Sequence, residues 1–259
     1  MKTSYPNRII CLTEETTETL YLLGCGERVV GISGFTVRPK EVRLDTPKVS
    51  TFLEANFEKI VGLQPDLVLT FSDLQAGIVR ELVLRGIPVI SFNQRSVDEI
   101  LQMILVLGGI VGKQREAEAL VERYEERLHQ VRLRASGKRR PKVYFEEWGD
   151  PLISGIRWVS ELIEIAGGED CFPELRRHHD AKNRIVQPDE VVKRDPEIII
   201  GSWCGKQFKQ EEVLRRSGWD AVSAVRNRRL YEIKSSIILQ PGPAALTDGL
   251  DALLAILRE

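Results

Sequence analysis

The sequence has almost no charge of one sign to spend: 37 Lys and Arg face 38 Asp and Glu, a formal net charge of -1. Without a global positive field there is no reason to expect nucleic acid or acidic lipid as a partner. The densest basic stretch, Arg132 to Lys142, has no aromatic residues interleaved and reads as a solvated helix end and linker. No apolar run is long enough to span a bilayer, which argues against direct membrane insertion. The first residues, MKTSYPNRIICL, lack a charged segment followed by an apolar one, so no signal peptide is expected in this chain. Cys11, Cys25, Cys171 and Cys204 form no CxxC pair and have no metal-ligand spacing. They read as buried or free thiols of a reducing compartment, with a Cys11–Cys25 disulfide left open. Catalytic signatures are missing too: there is no GxSxG, HExxH, GxxxxGK[ST] or paired His-Cys arrangement. The Gly24-Cys25-Gly26 triplet follows a helix instead of opening one, so it is not a dinucleotide fingerprint. His129 falls on the charged face of a long helix, and His178-His179 sits in the polar loop RRHHDAKNR, where a surface role is favoured over a metal ligand. No metal site, catalytic cofactor or enzymatic activity is expected.

What is present is an ordinary globular balance, 42% hydrophobic and 29% charged, in short aliphatic runs alternating with helical periodicity. That alternation predicts an α/β fold with mainly parallel strands. Strands are expected at 8–11, 28–33, 67–71, 88–92, 142–146, 198–202 and 230–233. A helix after the first strand takes Thr13 as N-cap, with Glu15 and Glu18 near its positive end. Val97, Ile100, Leu101, Ile104 and Val111 mark a further helix, expected to break near Gly108-Gly109 and Gly112. Ala117, Leu120, Val121, Tyr124, Leu128 and Val131 mark another, from Lys113 to Ser136, roughly 35 Å long at 1.5 Å per residue. The expected organisation is an N-terminal α/β lobe at 1–112, a connecting helix at 113–136 and a C-terminal α/β lobe at 137–259.

The run EKIVGLQPDLVL at 58–69 has a near double at 189–200, DEVVKRDPEIII. Without a gap, Glu58 aligns with Asp189, Pro65 with Pro196 and Asp66 with Glu197, and each run ends in three aliphatics. Each reads as a short helix feeding a buried strand, with the proline at the junction. One copy per lobe and a helix between them imply two Rossmann-like lobes and a ligand cleft. An acid at a helix start also needs no partner to explain it.

Aromatic residues gather at strand ends. Phe35, Phe52, Phe71 and Phe92 do so in the first half, Trp148 and Trp203 in the second. Ligands of open α/β sheets bind outside the carboxyl ends of strands, and broad apolar walls suit a bulky, flat ligand. About half of these rings are expected simply to fill the core. Trp158 fits the buried face of a helix running to Ala166. Glu146, Glu147 and Asp150 are the carboxylates an enzymatic reading would use. Arg38, Arg157, Lys206 and Lys234 could line a pocket for an anionic ligand.

The order IICLTEETTETLYLLGCGERVVGIS, PKVSTFLEANFEKIVGLQPDLVLT and LRGIPVISF resembles the helical-backbone class of ABC-transporter substrate-binding proteins. FEEWGDPLISGIRWVSELIEIAGGEDCFPE, NRIVQPDEVVKRDPEIIIGSWCG and RRLYEIKSSIILQPGP are most similar to its cobalamin-binding branch. The resemblance implies two lobes joined by a rigid helix, and a corrinoid, vitamin B12-type ligand delivered to a permease. A ferric siderophore or haem is the alternative, and a cytoplasmic corrinoid-processing enzyme or sensor is an alternative of another class. It further implies Phe35, Phe52, Phe71 and Trp148 as pocket residues, with Trp203, Ser235, Ser236 and Gln240 from loops nearby. Glu58 and Asp189, with Glu190 as the neighbour able to substitute, would dock on the ABC permease subunits. A monomer is expected. The location implied is extracytoplasmic if a leader has been removed, and cytoplasmic if this chain is the native full length.

Overall fold

The computed structural model describes residues 4–258. Two compact units emerge, one built from the chain up to Gln94 with Asp98–Arg123, the other from Arg95–Val97 with Tyr124 onward. The division falls inside the helix Gln114–Ala135, the long helix anticipated at 113–136.

In the first unit β1 (Ile9–Cys11), β2 (Val29–Ser33), β3 (Lys48–Ser50), β4 (Leu67–Phe71) and β5 (Val89–Phe92) form one sheet of order β3-β2-β1-β4-β5. Every pairing is parallel. The central strands β1 and β4 are buried along their whole length, the pattern of strands covered on both faces. Ile10, Leu12, Val49, Ile60, Val68, Ile78 and Leu82 make one core cluster there.

The second unit has β6 (Lys142–Gly149), β7 (Leu152–Ser154), β8 (Glu169–Asp170), β9 (Ile198–Gly201) and β10 (Leu230–Glu232), ordered β10-β9-β6-β7 with β8 also on β6. All pairs are parallel except the β6–β7 hairpin. The sequence does not announce β3, β7 or β8.

One expectation needs correction, and another holds in position only. The helix Val97–Ile110 does not break at Gly108-Gly109. A Cβ on Gly108 would lie 2.3 Å from the Ala117 Cβ, so this glycine permits close packing of the next helix; Gly112, at φ 70°, ends the element. Thr13 has the extended backbone of an N-cap, but its side chain makes no cap hydrogen bond to the helix Glu14–Leu22. All four cysteines are free, which closes the Cys11–Cys25 question.

The repeat proves to be geometric as well as textual. Gln64 and Asp195, aligned positions just before the prolines, both adopt left-handed backbone, φ 47° and 48°. Asp66 then donates its N–H to the Arg8 carbonyl at 3.0 Å, and its Oδ1 accepts the Arg8 N–H at 2.9 Å. Glu197 repeats this on Lys142, at 2.9 Å and 3.1 Å. Each copy therefore grips its neighbouring strand, β1 or β6, at the amino end and sets the parallel register. The acid after the proline is a structural clamp.

Candidate functional site

In the first unit the carboxyl ends of β1, β3 and β4 are tied by one side chain with no signal in the sequence. Gln75 is fully buried; its Nε2 donates to the carbonyls of Leu12 (3.3 Å) and Phe52 (3.0 Å), and its Oε1 accepts the Phe71 N–H (3.0 Å). Nearby Ser72 sits at φ 64° and ψ 175°, a region almost reserved for glycine. Around this knot Phe35 is 59% exposed beyond β2, Phe52 is half-buried, and Phe71 is buried opposite Phe92. Phe35 thus offers an open ring; Phe71 belongs to the core.

The start of the helix Glu14–Leu22 carries an unexpected feature. Glu14, Glu15 and Glu18 are all buried, and neither Glu14 oxygen has a hydrogen-bond partner. Burial pushes the Glu14 carboxyl up to about 8; the Val37 backbone opposes the rise and the charges of Glu18 and Glu15 reinforce it. Burial likewise lifts Glu15 to about 7, against the Thr13 hydroxyl. The helix dipole expected to favour these charges is overruled by desolvation. Glu18 pairs with Arg38 at 2.8 Å, which commits one of the candidate pocket cations.

In the second unit a concavity of about 520 Å³ opens at the carboxyl ends of β6 and β9, lined by Trp148, Trp203, Lys206 and Glu212 among others. The half-buried Trp148 donates its indole N–H to the Asp150 carbonyl at 2.7 Å. Trp203 is 6% exposed and donates its indole N–H to Glu146 Oε1 at 3.0 Å, with the Phe208 ring edge-on at 5.2 Å. Its ring lies so close to Gly149 that an added Cβ would stand 2.7 Å away. Trp203 therefore forms a fixed floor and Trp148 the accessible wall. Ser235 and Ser236 begin a short helix, Ser235–Ile238, after β10, and Gln240 follows it; all three are half-buried. Trp158 is buried as anticipated and donates to the Ile238 carbonyl at 2.9 Å.

Two of the three carboxylates an enzymatic reading would use are already engaged, and the third, Asp150, is exposed on the lining of the concavity. Glu146, with no exposure, forms a bidentate pair with Arg216 (2.5 and 2.8 Å), and Glu147 does the same with buried Arg184 (2.7 and 3.0 Å). Neither is placed to exchange protons with a substrate. No group of three or more His, Cys, Asp or Glu among the described residues could hold a metal ion. No helix among them is long and apolar enough to cross a membrane.

The aligned acids of the repeat stand apart from these networks. Glu58 is the second residue of the helix Phe57–Gly62, whose Asn56 side chain accepts the Lys59 N–H at 2.9 Å. Asp189 is the second residue of Pro188–Arg194, where proline at the first position does without a side-chain cap. Both are exposed and neither has an ion pair among the described residues. Glu190 differs: it is half-buried and lies 3.5 Å from Lys193 and 4.0 Å from Arg194.

Comparison with known proteins gives this architecture a family. An ABC transporter substrate-binding lipoprotein of Bacillus subtilis, YvrC, itself uncharacterized, is 27% identical over 96% of this chain and 79% of its own length. The vitamin B12-binding protein of Vibrio parahaemolyticus is 24% identical over 92% of this chain and 85% of its own. Among solved structures, a possible iron-binding (periplasmic solute-binding) protein from Staphylococcus epidermidis superposes with a TM-score of 0.85 at 22% identity, over 99% of this chain and 100% of that one. The family described as periplasmic binding protein matches residues 9–237. Matched by that family's model over most of its length, the chain belongs to the periplasmic binding protein family, the non-enzymatic solute-binding components of ABC transporters.

Proposed function

We propose that this protein binds a corrinoid of the vitamin B12 type and delivers it to an ABC permease. The observation that carries the ligand reading is the set of strand-end surfaces, above all the open Phe35 ring and the Trp148 concavity. Each offers a broad aromatic face for a flat macrocycle to stack on, and the polar lining beside Trp148 offers partners to groups at its edge. Similarity to vitamin B12-binding proteins supports the same choice. Phe52, Phe71, Trp203, Ser235, Ser236 and Gln240 support these surfaces from behind or from adjoining loops. An iron chelate is the second reading, favoured by the cationic Lys206 in the concavity and by the Staphylococcus epidermidis neighbour.

Delivery rests on Glu58 and Asp189, equivalent positions on equivalent helices, each exposed and uncommitted. Two separated charges orient an encounter and speed it more than they add affinity. Asp189 is preferred to Glu190, whose charge is answered by Lys193 and Arg194. The location proposed is extracytoplasmic, as for the lipoprotein relative.

Calorimetric titration with cyanocobalamin tests the ligand: stoichiometric binding without spectral turnover is expected, and its absence hands the site to the iron chelates. Reversing charge at both docking positions, E58R with D189R, should leave ligand affinity intact while transport in a reconstituted system falls at least tenfold. Transport at the wild-type rate would remove both residues from docking.

A further inference from the structure

The concavity of the second unit contains a cation placed with unusual care. The Lys206 N–H bonds to the Trp203 carbonyl at 3.2 Å, closing a turn whose third residue, Gly205, has φ 72°. Only such a position demands glycine, and here it swings Lys206 back over Trp148. The ammonium rests 4.4 Å from the Trp148 ring centre. That ring cannot turn away, because its indole N–H is held by the Asp150 carbonyl. Trp148 therefore does not present a bare stacking face; it presents a positioned charge.

The surrounding charges make Lys206 the one available for recognition. Lys209, on the same lining, is answered by Glu212 at 3.1 Å. Lys206 has no ion pair among the described residues, and attraction to a ring face uses none of its three N–H donors. Gln207 adds an amide, and Asp150 supplies a carboxylate on the same lining. With Lys209 and Glu212 cancelling, Lys206 and Asp150 leave the lining neutral overall, so a single anionic substituent meets a local cation without entering a general positive field.

We infer that Lys206, seated on Trp148, is the specificity-determining contact for an anionic group at the edge of the bound ligand. This rests on the reading of the chain as a binder of flat metal macrocycles. In a cobalamin the peripheral anion is the phosphodiester of the nucleotide loop, the other side arms being amides. In haem the corresponding anions are the two propionates. A charge-assisted hydrogen bond from the ammonium favours either over its neutral counterpart.

The test pairs ligands that differ in the anion. Cyanocobalamin and dicyanocobinamide, which lacks the nucleotide loop and its phosphate, are titrated by calorimetry into the full chain and into K206M, which keeps an apolar stem over Trp148. The expected result is about a tenfold loss of cyanocobalamin affinity in K206M, with dicyanocobinamide unchanged within twofold. Equal losses for both ligands, or none for either, overturn the assignment. If neither corrinoid binds wild-type protein, the corrinoid reading alone has failed, and haem with its dimethyl ester takes over as the pair. A selective loss for haem in K206M supports Lys206; parallel affinities, or no binding of any of the four, overturn it.

Discussion

The two units bury carboxylates near the carboxyl end of their first strand and treat them in opposite ways. After β1, Glu14 and Glu15 are shut away, the charge of Arg38 offsets only part of the cost for Glu14, and burial holds their protons to about pH 8 and 7. On β6, Glu146 is equally buried but receives both Arg216 nitrogens and the Trp203 indole. Burial fixes the cost of a charge; the partner decides whether the charge survives. In one unit the answer is a neutral acid that titrates in the physiological range. In the other it is a closed ionic network underpinning the floor of the Trp148 concavity.

That contrast can be broken most violently at Arg216. R216M strips Glu146 of its bidentate partner and should cost roughly 3–5 kcal/mol in urea unfolding. E146Q combined with R216M should recover a large part, since no buried charge is then left; a double variant as unstable as the single one would mean the pair acts through packing alone.

Next in size is the pH dependence of the first unit. The folded values of Glu14 and Glu15 lie above the ordinary 4.5, so the folded state holds these protons more tightly than the unfolded chain does. Stability from this source is full below about pH 4.5 and is lost as pH rises through 7 and 8. E14Q, neutral throughout, should be more stable than wild type by roughly 2–4 kcal/mol at pH 8 and much closer to it at pH 5. Parallel pH profiles for the two proteins would show that Glu14 is not the group responsible.

The smallest effects should come from the shared strand clamp, where the units agree. D66N and E197Q each keep the shape and weaken charge-assisted hydrogen bonds to backbone N–H groups at the amino end of β1 and β6. Each is expected to lose about 1–2 kcal/mol. Loss in only one copy would show that the repeated acids have diverged in role.

The alternation of aliphatic runs and amphipathic helices is enough to predict the α/β class, seven of the ten described strands and the long helix, because period and length are local properties. The repeat, too, is visible as text, and Glu58 and Asp189 can be paired from it alone. Its meaning is not: that Asp66 and Glu197 clamp the neighbouring strands depends on residues 55 and more positions away. Aromatic type and strand-end position pick out Phe35, Phe71, Trp148 and Trp203 together, yet exposure separates an open ring from core rings and a wall from its floor. Gln75, Arg184 and Arg216 carry no sequence signal, since a polar residue shows its role only through partners brought from distant strands. The sequence by itself determined which segments become helix or strand, through periodicity and turn chemistry written within a few residues. Only the tertiary structure decided which carboxylates stay charged, which tryptophan is reachable and which lysine stands ready, because desolvation and pairing depend on what the fold packs against each group.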